Sequence, residues 1–118
     1  MVGRTERDVG EIEIRDDGLW NGDRHRRPIG TKVVQILRVG AQRWLVREDY
    51  FRFPLGVSNL YCVDESLETV WSAVLSSPDD SYCNAEVVDG KLFAWTWNCY
   101  RCELETKSGR IVARQFTK

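Results

Sequence analysis

The chain repeats itself at a distance of 41 residues. Asn59-Leu60-Tyr61-Cys62-Val63-Asp64-Glu65-Ser66-Leu67-Glu68-Thr69-Val70-Trp71 and Tyr100-Arg101-Cys102-Glu103-Leu104-Glu105-Thr106-Lys107-Ser108-Gly109-Arg110-Ile111-Val112 share one plan. In each, an alternating strand ends in a hydrophobic–acidic pair, a short polar turn follows, and an apolar strand resumes. A period near 40 is the mark of a sheet assembled unit by unit. Apolar residues hold a 3.6-residue period nowhere beyond one turn, apart from an ambiguous stretch over 67–75. The expectation is therefore an all-β chain: an antiparallel meander of about eight to nine short strands in two blade-like sheets, arranged as a sandwich or an open barrel.

At 118 residues the chain is expected to form one domain over 11–118, preceded by a flexible tail over 1–10, where no apolar period appears. An apolar content of 42%, with five Trp, four Tyr and four Phe, supports a packed core over disorder. No stretch approaches the roughly 18 apolar residues of a membrane span. The charged start Arg4-Thr5-Glu6-Arg7-Asp8 is unlike a secretory leader. A bacterial, cytoplasmic protein is the expectation.

Net charge is −1, but the charges are sorted. Between Arg24 and Arg47 every ionised residue is basic; between Pro54 and Gly90 every one is acidic. Such blocks either make a dipolar surface that steers a partner or lie side by side and neutralise each other. The second arrangement is the expectation, because paired surface charges are common.

Turn chemistry divides the rest. Glu11–Arg15 alternates as a strand. Asp16-Asp17-Gly18 and Asn21-Gly22-Asp23 mark turns, with Leu19 and Trp20 as a hydrophobic tether between them. Arg24–Gly30 reads as an exposed basic loop. Lys32–Val39 and Gln42–Arg47 read as strands joined by a hairpin with Gly40-Ala41 at its tip. The connection Glu48–Ser58 carries Tyr50, Phe51 and Phe53, too many aromatics for a merely solvated loop. Strands then follow at Asn59–Val63, Thr69–Leu75, Ala85–Val88, Lys91–Trp97, Tyr100–Glu105 and Arg110–Thr117, with Asp89-Gly90 as a strong hairpin signal.

Leu104-Glu105-Thr106-Lys107-Ser108-Gly109-Arg110-Ile111-Val112 resembles the blade motif of quinoprotein-type β-propellers, and Val63-Asp64 through Val70-Trp71 is similar. The first copy lacks the turn Gly and is one residue short before Trp71; the second has Glu105 for Asp and Ala113 where Trp would fall. The resemblance covers Val33 to Phe116 and implies two four-stranded units, too few to close a ring. The chain is also similar to small uncharacterised bacterial β-proteins that pair an Asn-Leu-Tyr-Cys strand with a C-terminal Trp-Asn-X-Tyr segment. That likeness implies no catalytic residues and no cofactor.

Candidate chemistry is sparse. Cys99-Tyr100-Arg101-Cys102 has the gap of half a zinc knuckle, but Cys62 and Cys83 have 20 residues between them and do not supply the other half. Free thiols are the expectation, with Cys99 and Cys102 as the metal alternative. His25 is the only histidine, and no nucleophile or carboxylate partner for it is legible. Asp16-Asp17 and Asp79-Asp80 sit in turns, where acids serve local hydrogen bonding. Trp95 and Trp97 share one strand face, with Trp71 joining their layer. The expected function is non-enzymatic binding of another protein, of the immunity or inhibitor kind, through Tyr50, Phe51, Phe53, Trp95 and Trp97. The alternatives are a cysteine-dependent metal or enzymatic module and nucleic-acid binding through the 24–47 segment, with Arg24, Arg26 and Arg27 gripping phosphate beside Trp20. Open sheet edges suit a homodimer.

Overall fold

The computed structural model describes residues 12–117, so the segment read as an N-terminal tail lies outside the described residues. Period-two alternation folds as it must: eleven antiparallel strands form three sheets, none closed into a barrel, and no helix occurs among the described residues. The first sheet holds β1 (Glu13–Arg15), β2 (Gly18–Asn21) and β3 (Arg24–Arg26). The second holds β4 (Val33–Gly40), β5 (Arg43–Glu48), β6 (Leu60–Val63) and β7 (Thr69–Ser72). The third holds β8 (Tyr82–Val88), β9 (Lys91–Thr96), β10 (Tyr100–Leu104) and β11 (Ile111–Phe116). Each sheet is a plain meander in chain order.

The two four-stranded sheets run from Val33 to Phe116 and contain both stretches of the internal similarity, 59–71 and 100–112. Its two copies are the third and fourth strands of their sheets, β6–β7 and β10–β11. The three-stranded sheet is the element the sequence hid. Asp16 and Asp17 both adopt positive φ (53° and 66°), which reverses the chain in two residues and turns Leu19 and Trp20 from a tether into strand β2. The basic segment is likewise corrected from loop to strand at Arg24–Arg26, which pairs Leu19 with Arg26 and Trp20 with His25. A short, basic edge strand keeps its solvated side chains and still completes a ladder.

The second sheet is the middle layer. Along β6 the side chains of Leu60 and Cys62 face the third sheet, packing with Leu45, Trp71, Tyr82, Leu92, Cys102 and Leu104. Tyr61 and Val63 face the other way, with Leu19, Val33, Trp44, Val46 and Leu67. All four β6 residues are buried, as expected for a strand covered on both faces. The 41-residue offset then has a physical meaning. Cys62 corresponds to Glu103 and Tyr61 to Cys102, so each unit turns the same face to the sheet before it. The face that Cys62 buries under the third sheet has no further sheet to cover it at Glu103, and there it is polar.

Trp71 joins the two units. Its indole Nε1 donates to the Thr106 carbonyl at 2.9 Å, and its ring lies against Gly109, where an added Cβ would overlap it. It therefore belongs to the core between the sheets and not to a layer with Trp95 and Trp97. The first β-turn-β is one residue shorter, closing with Leu67 N–H on the Asp64 carbonyl where the second closes with Gly109 N–H on the Glu105 carbonyl, and Leu67 takes the left-handed conformation (φ 68°) that Gly109 takes in the second (φ 77°). Burial of the Leu67 side chain holds that conformation, and Asp64 Oδ1 accepts the N–H groups of Ser66 and Glu68. At the first hairpin the tip is Ala41-Gln42, with Gln42 at φ 57°, while Gly40 stays in β4 opposite Arg43; the reversal falls one residue later than its glycine suggested.

Polar clamps fix the sheets to each other. Buried Asn59 donates to the carbonyls of Glu48 and Tyr82 and accepts the Tyr82 N–H, spanning the second and third sheets. Gln35 accepts from Arg47 Nε and donates to the Ala85 carbonyl.

Candidate functional site: a loop surface at one end of the sheets

The β5–β6 connection, the β7–β8 connection and the β9–β10 turn meet at one end of the molecule. Gly56 N donates to the Pro78 carbonyl at 3.1 Å, and Trp97 N donates to the Ser81 carbonyl at 2.9 Å. Asp80 Oδ1 accepts the N–H groups of Ser81 (2.9 Å) and Asn98 (3.0 Å). Three segments far apart in sequence are thus bonded into one surface.

Its base is Glu48, whose side chain is fully buried at the end of β5. The carboxylate accepts the N–H groups of Ile29 (2.8 Å), Gly30 (2.9 Å) and Thr31 (3.0 Å), and the Tyr61 hydroxyl. Burial, followed by that bond to Glu48, pushes the Tyr61 phenol well above its ordinary range. Gly30 admits the Phe53 ring, since a Cβ there would stand 2.5 Å from it. Phe53 therefore pins the loop down, while its neighbours are left outside.

What remains outside is apolar. Phe51 is 64% exposed, Leu55 81%, Val57 46%, Trp97 61% and Tyr50 36%. The Tyr50 and Trp97 rings meet at 5.3 Å. Beneath them Tyr50, Phe53, Leu55, Val57, Asp80 and Ser81 line a pocket of about 180 Å³. Asp79 lies exposed at its rim, where its carboxylate accepts from Ser77 Oγ. Asp80 keeps the local hydrogen bond expected of a turn acid, accepting the Ser81 N–H, but it is also buried, and its Oδ2 has no hydrogen-bond partner among the described residues.

Of the aromatics singled out in the sequence, Tyr50, Phe51 and Trp97 come together and Phe53 supports them. Trp95 does not join. Strand β9 ends at Thr96, so Trp97 leaves the sheet, while Trp95 stays on the third sheet's outer face within 5.9 Å of the Arg101 guanidinium. Leu55, Val57 and Asp80 were missed. The signal for the first two was present: apolar residues on either side of Gly56 in a loop that has no strand partner to cover them.

The basic residues form a separate place. A cleft of about 530 Å³ in the first sheet is lined by Arg15, Asp16, Trp20, His25, Arg26 and Arg27 among others. Trp20 and His25 stack at 4.5 Å, and the Arg15 guanidinium sits over the Trp20 ring. Arg26 is structural, donating to the Leu67 carbonyl at 2.9 Å and lying over Tyr61. Arg24 and Arg27 are exposed. The basic and acidic blocks do lie side by side, β5 pairing with β6, but among the described residues they are not joined by ion pairs. Among the described residues the two ion pairs are Arg15–Glu13 and Arg110–Glu105, and neither joins the blocks. The basic segment runs over the first sheet and the β4–β5 hairpin, and it meets the acidic turn through backbone carbonyls.

All four cysteines are free thiols. Cys62 and Cys102 are buried between the sheets, and Cys99 sits half-buried in the β9–β10 turn, so Cys99 and Cys102 do not face one site. Burial pushes the Cys62 thiol up to about 11 and raises Cys83 and Cys102 as well. Among the described residues no three His, Cys, Asp or Glu side chains come within reach of a common metal ion.

Residues 55–116 match the model of a family described as a domain of unknown function, DUF7957. No curated protein matches the chain. The matched segment carries Leu55, Val57, Asp79, Asp80 and Trp97 of the loop surface, whereas the basic cleft lies wholly before it.

Proposed function

Given that the chain belongs to the DUF7957 family, we propose that it is a non-enzymatic module that binds another protein through the loop end of its sheets. One observation carries this reading: Tyr50, Phe51, Leu55, Val57 and Trp97 are all exposed on loops that hydrogen-bond to one another. A monomer rarely leaves such side chains gathered in one place without a use, and loops held on a rigid scaffold are where binding residues concentrate. Asp49, Asp79 and Asp80 outnumber Arg47 and Arg52 here, so among the described residues the surface carries more acid than base. The partner segment it suits is apolar with positive charge, the kind of target an immunity or inhibitor protein covers. The supporting scaffold is, in our reading, a pair of propeller-blade-like units; the seat of Trp71 on the Gly109 turn supports it.

The test is affinity capture from the native cell, quantified against a Leu55→Asp/Trp97→Asp double variant that keeps its thermal transition. A protein retained by the native chain, lost with this variant and retained by an Arg24→Glu/Arg27→Glu control is the expected result. Equal retention by the double variant would remove the loop surface from the account. Zinc at one equivalent per chain, lost on Cys99→Ser, would favour the metal-dependent alternative instead.

A second reading draws on the Trp20–His25 stack beside exposed Arg24 and Arg27: the first sheet binds a polyanion such as single-stranded nucleic acid. Such a complex weakens steeply with salt. Affinity for a single-stranded oligonucleotide that ignores salt, or survives Arg24→Glu/Arg27→Glu, excludes it.

A further inference from the structure

The pocket under Tyr50 and Leu55 has a charge at its wall that the chain itself leaves unanswered. Asp80 is 5% exposed, and only one of its carboxylate oxygens is used, by the N–H groups of Ser81 and Asn98. The other, Oδ2, is shielded from solvent and meets no donor among the described residues. A buried carboxylate ordinarily finds partners for both oxygens, because an unpartnered one forfeits its hydration. Glu48, equally buried, has both oxygens bonded, and besides Asp80 the other buried side-chain oxygen without a partner among the described residues is Glu65 Oε1, outside this pocket.

The surroundings narrow what could answer it. From Pro54 to Gly90 the sequence holds no basic residue. The basic residues flanking that stretch are placed elsewhere: Lys91 pairs with Val88 at the opposite end of β8 and β9, the Arg52 guanidinium stands over the Phe51 ring at 5.5 Å, and Arg47 Nε donates to Gln35. Tyr50 and Phe53 line the same pocket and offer the ring faces that attract cations. At about 180 Å³ the space is well short of the roughly 300 Å³ at which drug-sized ligands are held. It suits one side chain. A metal ion fits poorly, since a hard cation takes six or more oxygens and among the described residues no third metal-binding side chain joins Asp79 and Asp80.

We propose that this pocket receives a single arginine or lysine side chain of the partner protein, with the Asp80 carboxylate, buried behind the pocket wall, as the charge that attracts it and the Tyr50 and Phe53 rings as its walls. The proposal rests on the loop surface being the docking face, and it adds the chemical identity of the central contact. It separates two parts of the surface: Leu55, Val57 and Trp97 contribute area, and Asp80 contributes selection for a positive charge at one position.

The experiment needs no identified partner. The native chain is titrated with N-acetyl-arginine amide and, separately, with its uncharged analogue N-acetyl-norleucine amide, while the amide resonances of Ser81 and Asn98 are followed. Those two N–H groups bond directly to Asp80 Oδ1 and report on its carboxylate. The expected result is saturable movement of both resonances with the arginine probe, at least tenfold weaker with norleucine, and abolished in Asp80→Asn but not in Asp79→Asn. Equal response to the two probes, or none to either, overturns the cation assignment. Should Asp80→Asn fail to fold, the comparison of the two probes on the native chain still decides. A protein partner that binds Asp80→Asn as tightly as the native chain, yet is lost with Leu55→Asp/Trp97→Asp, would overturn this contact and leave the docking face standing.

Discussion

Single residues carry the account's most local claims, and backbone conformation gives two tests of opposite sign. Gly109 holds φ 77° with the Trp71 ring against it, so Gly109→Ala meets both a disfavoured conformation and an occupied space. A loss of about 2–4 kcal/mol is expected, combining left-handed strain with overpacking, and urea denaturation measures it. Gln42 holds φ 57° at an exposed hairpin tip, so Gln42→Gly should gain about 0.5–1 kcal/mol in the same assay. Thiol chemistry gives a third test. Burial raises the Cys62 thiol from 9.0 to about 11 and raises Cys102 too. Each folded-state pKa lies above the unfolded one, so the native state keeps protons that the unfolded chain releases. Stability is therefore intact below pH 9 and falls as pH rises from about 9 towards 11, and a series of urea midpoints across that window shows it. In the folded chain at pH 8 a thiol reagent should modify Cys83 and Cys99 before Cys62 and Cys102, with the last two reacting only on unfolding.

At the scale of elements, what could be read from the sequence depended on whether side chains alternate. Strands β4 to β11 alternate or run apolar between turn residues. The first sheet escaped because its strands are three and four residues long, and β3 holds no apolar residue. No local pattern distinguishes such a strand from a solvated loop; only pairing with Trp20 and Leu19 makes it one. The loop surface was half legible. Aromatics in the β5–β6 connection announced it, but its contact with Trp97 and Asp80 is a product of the meander bringing alternate connections to one end. Glu48 was not singled out at all, since nothing in its neighbours says that three N–H groups of a distant loop will converge on it. Glu48→Gln replaces one accepting oxygen with a donor facing donors. The loss is expected to reach about 2–4 kcal/mol, because buried donors are left unpaired. Hydrogen exchange should then quicken at 29–31 before the β8–β11 sheet responds.

The whole molecule is a stack of three sheets in which the middle one is covered on both faces and the outer two end the stack differently. The first sheet closes one side with a basic, aromatic surface, and the third closes the other with Arg101, Glu103 and Gln115 around Phe93. A charged outer face is how a stack of like units is kept from growing. Strand β11 still presents an exposed edge with Val112 and Phe116 outside, which makes edge pairing the competing mode of association. Three surfaces thus compete as the place where this protein meets another molecule: the loop end, the β11 edge and the basic cleft. Hydrogen exchange on the captured complex distinguishes them in one measurement. Protection confined to 50–57, 78–81 and 97–99 is the result predicted here. Protection along 111–116 or 15–31, with those loops exchanging as in the free chain, would contradict it.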